Sequence, residues 1–326
     1  MLLKKLFFRM VSVIIPNFNG IKELETLYVS LSLQTFKDFQ VILADNGSSD
    51  GSVEFTEKKY PQYKILKLGK NLGFSKAVNA GIKYSLSEIN PDYLLLLNND
   101  IELKPDFIER AMKTFSEKKD AGFIAVKMLN FFQRDLIDDT GDFIKAYGGS
   151  PLVRGRGEKD TGQYDKPEYV FGACAGAAFY RKELFLNAGM FDEDFFAYLE
   201  DVDLSFRFQL AGYKCFYDPE IICYHKRGET TKKFSGWETY YSEKNLVSLR
   251  LKNYPAGIYI KYSPLFFLFR VRRFYKFFFH YPPGVFRSAF TGYLKGLSEI
   301  PSALRKRKQI QNNKKVSAEY IESMFI

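Results

Sequence analysis

The sequence predicts an α/β protein built on a Rossmann-like, mostly parallel central sheet flanked by helices, with a helical extension at its C-terminal end. Three observations carry that expectation. Apolar runs of strand length recur at 11–16 (VSVIIP), 39–44 (FQVILA) and 93–97 (YLLLL). Stretches with helical spacing lie between them, near 21–33, 51–60 and 75–86. Each apolar run gives way to a cluster of polar, turn-forming residues.

Continuous apolar runs suit parallel strands covered on both faces, where no alternate residue needs to meet water. Strand–helix alternation then implies right-handed βαβ units. In such sheets ligands bind beyond the carboxyl ends of the strands, so the residues just after each strand matter most. The first strand is succeeded by Asn17-Phe18-Asn19-Gly20, the second by Asp45-Asn46-Gly47-Ser48-Ser49-Asp50-Gly51, and the third by Asn98-Asn99-Asp100. Polar turns end many strands, but three such clusters on one sheet edge describe a shared cleft. The pattern weakens over 122–180. There Gly148-Gly149 and 154–157 (RGRG) read as a mobile, exposed loop, and 171–180 (FGACAGAAFY) as a small-residue stretch open to close approach. Residues 199–210 read as a helix stopped by Gly212, and 234–254 as another ended by Pro255.

Asp100, with Asn98 two residues before it, offers hard oxygen ligands to a divalent cation, or else caps the next helix. Glu200-Asp201-Val202-Asp203 is the second acidic cluster. Asp203 and Arg207 stand at i,i+4, an ordinary supporting ion pair worth a few tenths of a kcal/mol. Asp201 lies about 100° round the helix from Glu200 and has no basic residue at i±3 or i±4. It is either a first-turn acid favoured by the helix dipole or a general base at the cleft. His225, one of two histidines, directly follows a strand-like run and is a candidate ligand.

Hydrophobic residues at 46% and charged residues at 26% describe a folded globular chain and exclude a disordered one. No uncharged apolar run reaches the roughly 18–20 residues a membrane helix needs. The opening MLLKKLFFRM lacks the apolar core of a secretory signal. Residues 1–10 are therefore read as an N-terminal extension, with Met10 an alternative start. Cys174, Cys215 and Cys223 form no CxxC pair and read as buried free thiols in a reducing compartment.

The segments 11–20, 41–52, 71–82, 94–107 and 189–228 resemble, in order and spacing, the motifs of glycosyltransferase family 2, the nucleotide-sugar-dependent inverting enzymes of the GT-A fold. The similarity covers about residues 11–250 and is strongest to the rhamnosyltransferase-like branch. It implies roles residue by residue. Asp45 matches the carboxylate that reads the donor's pyrimidine ring. Pro16, Asn17, Asn19 and Asn46 line the same nucleotide pocket, and Asn71, Gly73 and Asn79 belong to the segment closing over ribose and diphosphate. Asn98 and Asp100 occupy the positions of the DxD metal motif, with Asn98 and Asn99 on the nucleotide-sugar side; Asp100 and His225 would hold Mg2+ or Mn2+, and Asp201 matches the catalytic base. Gly176 and Glu200 fall on the acceptor side. The departure is Asn98, neutral where relatives carry Asp, which implies weaker metal binding.

The implied activity is inverting transfer of a sugar from a dTDP-rhamnose or UDP-sugar donor to a lipid-linked or polysaccharide acceptor. The alternative is a glycan- or membrane-binding protein that kept the GT-A fold without turnover. The expected domains are 11–230, catalytic, and 231–326, a basic aromatic helical region for membrane association. Residues 226–326 hold 20 Lys and Arg against 6 Glu, net +14, whereas residues 1–225 are net −4. If 265–279 is helical, Phe267, Val271, Phe274 and Phe278 share one face, with Arg270, Arg272, Arg273 and Lys276 over the other side. That suits a helix lying in a bilayer interface, with the 305–308 run (RKRK) adding attraction to anionic lipid. The competing reading is a helix packed on the catalytic domain with a solvated basic face. Nucleic acid is not expected, because the catalytic part is net acidic and carries no nucleic-acid motif. The expected location is cytoplasmic, peripheral on the inner face of the plasma membrane, and a homodimer is possible.

Overall fold

The structure is a computed structural model and describes residues 10–146, 150–227 and 236–326. Most of the N-terminal extension, the Gly148-Gly149 pair and residues 228–235 lie outside the described residues. The elements run β1 (Val11–Asn17), α1 (Ile21–Ser32), β2 (Phe39–Asp45), α2 (Ser52–Lys59), β3 (Lys64–Lys67), α3 (Phe74–Tyr84), β4 (Tyr93–Leu97), β5 (Ile101–Leu103), α4 (Phe107–Glu117) and β6 (Ala121–Asn130). Short strands β7 (Ile137–Asp139), β8 (Asp142–Ile144), β9 (Pro151–Val153), β10 (Glu168–Val170) and β11 (Ala177–Arg181) come next. Then come α5 (Lys182–Ala188), α6 (Glu200–Leu210), β12 (Lys214–His225), α7 (Trp237–Asn253), α8 (Ala256–His280), α9 (Pro283–Ser298), α10 (Ile300–Asn312) and α11 (Ala318–Ser323).

Ten strands of the described residues form one sheet, in the order β10-β12-β6-β11-β4-β1-β2-β3, with β5 on β12 and β7 on β6. β3, β2, β1 and β4 are parallel, β12 runs parallel to β6, and β11 enters antiparallel between β4 and β6. The apolar runs are covered on both faces, as their continuity requires. Alternate side chains divide between two cores. Val13, Ile15, Leu95 and Leu97 pack with Leu24, Leu27 and Phe107 of α1 and α4. Ile14, Leu94 and Leu96 pack with Val78 and Ile82 of α3. This is the mostly parallel α/β architecture the sequence predicts.

A third core joins the sheet's far end to the C-terminal helices. Ile144, Phe171, Phe206 and Leu210 pack with Leu246, Leu249, Tyr254, Ile258, Phe266 and Ile321. Two expectations need correction. The 154–157 segment is not free at its start: Arg154 donates from Nη2 to Thr140 O (2.7 Å) and stacks over Tyr217, and Gly155 is buried. The basic side of α8 is not simply solvated either. Arg270 and Arg273 turn inward and pair with the fully buried Glu243 of α7. Phe274, expected on the outward apolar face, is half-buried and packs against Phe290 and Tyr293 of α9. Among the described residues no helix is long and apolar enough to cross a membrane.

Candidate active site

The polar loops at the carboxyl ends of β1 and β2 and before α3 are tied into one frame. Asp45 closes β2 and is buried. Its Oδ2 accepts from the Gly47 and Ser48 N–H groups (3.2 and 3.1 Å), and its Oδ1 accepts from Asn17 Nδ2 (3.4 Å). Asn17 Oδ1 in turn accepts from Asn99 Nδ2 (2.8 Å). Asn19, in a left-handed conformation (φ 53°), donates its N–H to Ser48 Oγ (2.9 Å) and accepts from Ser49 N–H (2.8 Å). Pro16 has no N–H to give, and it falls past Ile14, where β1–β4 pairing stops. Asn46 spans to the next loop, donating to Asn71 Oδ1 (3.0 Å) and Gly73 O (3.2 Å). Gly73 has φ 88°, and a Cβ there would lie 2.6 Å from Phe196 O, so only glycine fits. Asn79 braces the cleft from behind, its amide exchanging hydrogen bonds with the Phe191 backbone (2.9 and 3.0 Å).

The Asn98-Asn99-Asp100 turn links β4 to β5. Asn98 donates its N–H to Gly176 O (2.8 Å). Asp100 Oδ1 is buried without a hydrogen-bond partner among the described residues, 3.2 Å from His225 Nε2 at the end of β12. The other ring nitrogen, Nδ1, lies 2.7 Å from Asp138 Oδ2, and Asp138 Oδ1 accepts from Arg227 Nη1 (2.6 Å). Burial opposes a charge on His225, yet the two carboxylates overcome it and raise its pKa to about 9. Burial also opposes ionisation of Asp138, and His225 with Arg227 overcome that, lowering it to about 2.

A divalent cation fits this pair. An orphaned carboxylate oxygen faces an imidazole nitrogen, and a carboxylate on the ring's far side orients it, as outer partners of metal-bound histidines do. The described residues contain no cluster of three or more His, Cys, Asp and Glu at metal-binding spacing. Donor phosphate oxygens and water would have to complete such a sphere.

Across the cleft, Tyr198 and Leu199 are both left-handed (φ 67° and 66°), and this turn delivers Glu200 and Asp201 into the first turn of α6. Asn245 of α7 holds the turn, donating from Nδ2 to Ala197 O (2.9 Å) and Tyr198 O (2.8 Å). Asp201 accepts from Val202 N–H at Oδ1 (2.8 Å) and from Ala175 N–H at Oδ2 (3.4 Å). Desolvation raises its pKa, against those two hydrogen bonds. Glu200 is buried, with Oε2 unpartnered among the described residues, and desolvation pushes it well up. Asp203 makes the expected i,i+4 pair with Arg207 and more besides. It is fully buried and meets Arg207 Nε (3.0 Å), Lys252 Nζ (2.8 Å) and Asn253 Nδ2 (2.7 Å), a buried network rather than a simple pair.

Sequence reasoning missed Asp138, Asp139, Asp142 and Arg156. Asp139 and Asp142 are buried beside the cleft, and burial lifts Asp139 to about 7 and Asp142 well up, with Asp201 adding to both. Arg156 stands 4.0 Å from Asp138 and Asp139 as counter-charge. The signal was 138–142 (DDTGD), three acids around a turn glycine.

This sheet, with its polar frame along the carboxyl edge, is the GT-A fold, and the protein is a glycosyltransferase. The chain belongs to glycosyl transferase family 2, whose model matches residues 12–187. It is 29% identical over 232 residues to an N-acetylglucosaminyl-diphospho-decaprenol L-rhamnosyltransferase of Mycobacterium tuberculosis, covering 64% of this chain and 73% of that one. It is 27% identical to a GalNAc(5)-diNAcBac-PP-undecaprenol beta-1,3-glucosyltransferase of Campylobacter jejuni, covering 57% and 55%. A crystal structure of S. aureus TarS 1–349 superposes with a TM-score of 0.54 over 96% of this chain and 91% of that one. At 16% identity that likeness is one of fold.

Proposed function

We propose that the protein is an inverting glycosyltransferase that moves a sugar from dTDP-rhamnose or a UDP-sugar to a hydroxyl of a lipid-linked or cell-surface glycan, at the inner face of the plasma membrane. The observation that carries the reading is the backbone step Ala175-Gly176. Gly176 O holds Asn98, beside Asp100 and His225, while Ala175 N–H holds Asp201. The leaving-group side and the base thus flank one peptide unit.

Asp201 takes the proton of the acceptor hydroxyl as its oxygen attacks the anomeric carbon. The bond to the diphosphate oxygen breaks as the new C–O bond forms, on the opposite face, so the configuration inverts and no covalent enzyme intermediate is needed. Burial that raises the Asp201 pKa makes it a better base than a solvated carboxylate. Asp45, with Asn17, Asn19 and Asn46, receives the nucleotide, and Asn71 and Gly73 shape the diphosphate side. Mg2+ or Mn2+ held by Asp100 and His225 would neutralise the departing diphosphate as a Lewis acid. The decaprenol-linked substrate in the mycobacterial relative's name supports a lipid-linked acceptor and rhamnose, and the Campylobacter relative's name supports a hexose donor and an undecaprenol-linked acceptor. Residues 11–230 are the proposed catalytic domain and 231–326 the proposed membrane-association region.

Asp201→Asn tests the assignment. Transfer to a water-soluble acceptor analogue should be lost while calorimetric nucleotide affinity stays unchanged, since the base touches the acceptor. Residual transfer above about 5% of wild type would remove Asp201 from the role, because a lost general base costs about 100-fold or more.

A further inference from the structure

We propose that the outward faces of α8 and α9 form one lipid-inserting surface whose partner is an anionic bilayer. The proposal deepens the lipid-linked acceptor reading and rests on it for its purpose, though its test does not. On α8, Phe267, Leu268, Val271, Tyr275, Phe278 and Phe279 are each 51–67% exposed. At about 100° per residue these six side chains fall within an arc of about 120°. A helix of a water-soluble surface turns such an arc inward. Here the opposite side faces in, carrying Arg270 and Arg273 onto buried Glu243.

α9 extends the surface. Its inward side is small: a Cβ on Gly292 would lie 2.3 Å from Tyr240 O, and one on Gly296 2.6 Å from Lys244 O. Packed this closely on α7, α9 turns Phe290, Leu294 and Leu297 outward. Contiguous exposed apolar area of this kind marks a binding surface. The charge chooses the partner. Residues 256–298 contain seven Lys or Arg and no Asp or Glu. Arg272 and Lys276 flank the apolar arc on α8, and Arg287 and Lys295 are exposed on α9. A second copy would bring like charge against like. An anionic leaflet offers both the apolar depth and the countercharge. With no described helix long and apolar enough to span, α8 and α9 lie in the interface rather than cross it.

The test is co-sedimentation of the full chain with vesicles of phosphatidylglycerol and phosphatidylcholine in equal parts, against phosphatidylcholine alone. Wild type should partition onto the anionic vesicles, and salt should release it only in part, since screening acts on the charges and not on inserted rings. F267S/F278S alters only exposed side chains and should lower partitioning more than about tenfold, by the loss of inserted apolar area. Transfer to a water-soluble acceptor should be unchanged in it. R272E/K276E should weaken binding to anionic vesicles alone. V29S/L33S, exposed at the end of α1 and just beyond it, should change nothing. Wild type that ignores anionic vesicles, or F267S/F278S that binds like wild type, overturns the proposal. So does a dimer in sedimentation velocity that F267S/F278S dissolves, which would give the face to a second copy. Vesicle binding without any sugar transfer would instead count against the proposed function and leave the surface standing.

Discussion

Asn245 lies on α7, in the C-terminal region, yet it holds the turn that presents Asp201. Its amide satisfies two carbonyls, Ala197 O and Tyr198 O, from a site 1% exposed. The turn stores strain, because Tyr198 and Leu199 both sit at positive φ without being glycine. Such residues cost about 1–3 kcal/mol each and persist only where surroundings hold them. Asn245→Ala would remove two hydrogen bonds to half-buried carbonyls, at about 0.5–1.5 kcal/mol each. The turn's cheapest escape is to unwind, shedding strain and carrying Asp201 with it. We therefore expect about 1–2 kcal/mol of lost stability, less than the full worth of the two bonds. We expect kcat to fall about 100-fold, the cost of displacing a catalytic group by about 1 Å. The donor KM should change far less, because the Asp45 carboxylate is held by Asn17 and by the N–H groups of its own loop. Asn245→Asp keeps the shape and loses the donor, so it should fail as the alanine does. Urea denaturation and steady-state kinetics on a soluble acceptor read both quantities. An Asn245→Asp enzyme within twofold of wild-type kcat would refute the reasoning, as would a kcat loss that merely follows the folded fraction.

Asp203→Ala should cost about 3 kcal/mol in urea denaturation, because it removes the buried carboxylate that Arg207 and Lys252 share, leaving Lys252 only Asp192 and Arg207 only backbone carbonyls. Glu25→Ala, at an exposed pair with Lys59, should cost under about 1 kcal/mol. Asp139, lifted to about 7 by burial with Asp138 and Asp201 adding and Arg156 opposing, keeps its proton in the fold where an unfolded chain has lost it. Its stabilising share is complete below about pH 4 and lost as pH rises through about 7, so Asp139→Asn should flatten the stability profile between those limits and be the more stable protein at pH 8. EDTA should weaken donor binding to wild type, and Asp100→Ala should weaken it more than His225→Ala, since the carboxylate carries formal charge. Donor affinity indifferent to EDTA would remove the cation from the site.

The parallel half of the sheet was legible because its signal is local. An uninterrupted apolar run such as 93–97 needs no partner to declare itself buried on both faces, and the polar residues that end β1, β2 and β4 come directly after in sequence. The other half of the site was not. β7, β8 and β9 are three residues each, too short for a period to show. The bond that orients His225 reaches back 87 residues to Asp138. Asp203 illustrates the same limit in energy. Its i,i+4 partner was visible, but Lys252 and Asn253, 49 and 50 residues on, turn a simple pair into a buried network. On α8 the apolar arc could be read from spacing alone. That it faces out is a consequence of Glu243, a charge on another helix that takes Arg270 and Arg273 inward.

Three consecutive residues of α7 join these parts. Glu243 receives the two arginines of α8. Lys244 donates to Asp194 O (2.7 Å) and pairs with Glu299 at the end of α9 (3.1 Å). Asn245 holds Ala197 and Tyr198. One turn of helix thus fixes the α8–α9 hairpin on one side and the Tyr198–Leu199 turn on the other. On the proposed reading, an acceptor whose lipid stays in the bilayer would arrive at a height and orientation set by α8 and α9, and its hydroxyl would meet Asp201 there. A rigid link between the two removes a degree of freedom that the reaction would otherwise have to freeze at each turnover. The same role explains why polar residues occupy the buried stretch of α7 from Glu243 to its end. Glu243, Lys244, Asn245, Lys252 and Asn253 are all at most 6% exposed, and each of them bonds a different neighbouring segment or a different atom of the same one. An apolar α7 would pack as well, but it would leave the catalytic turn free to relax and the arginines of α8 without a counter-ion.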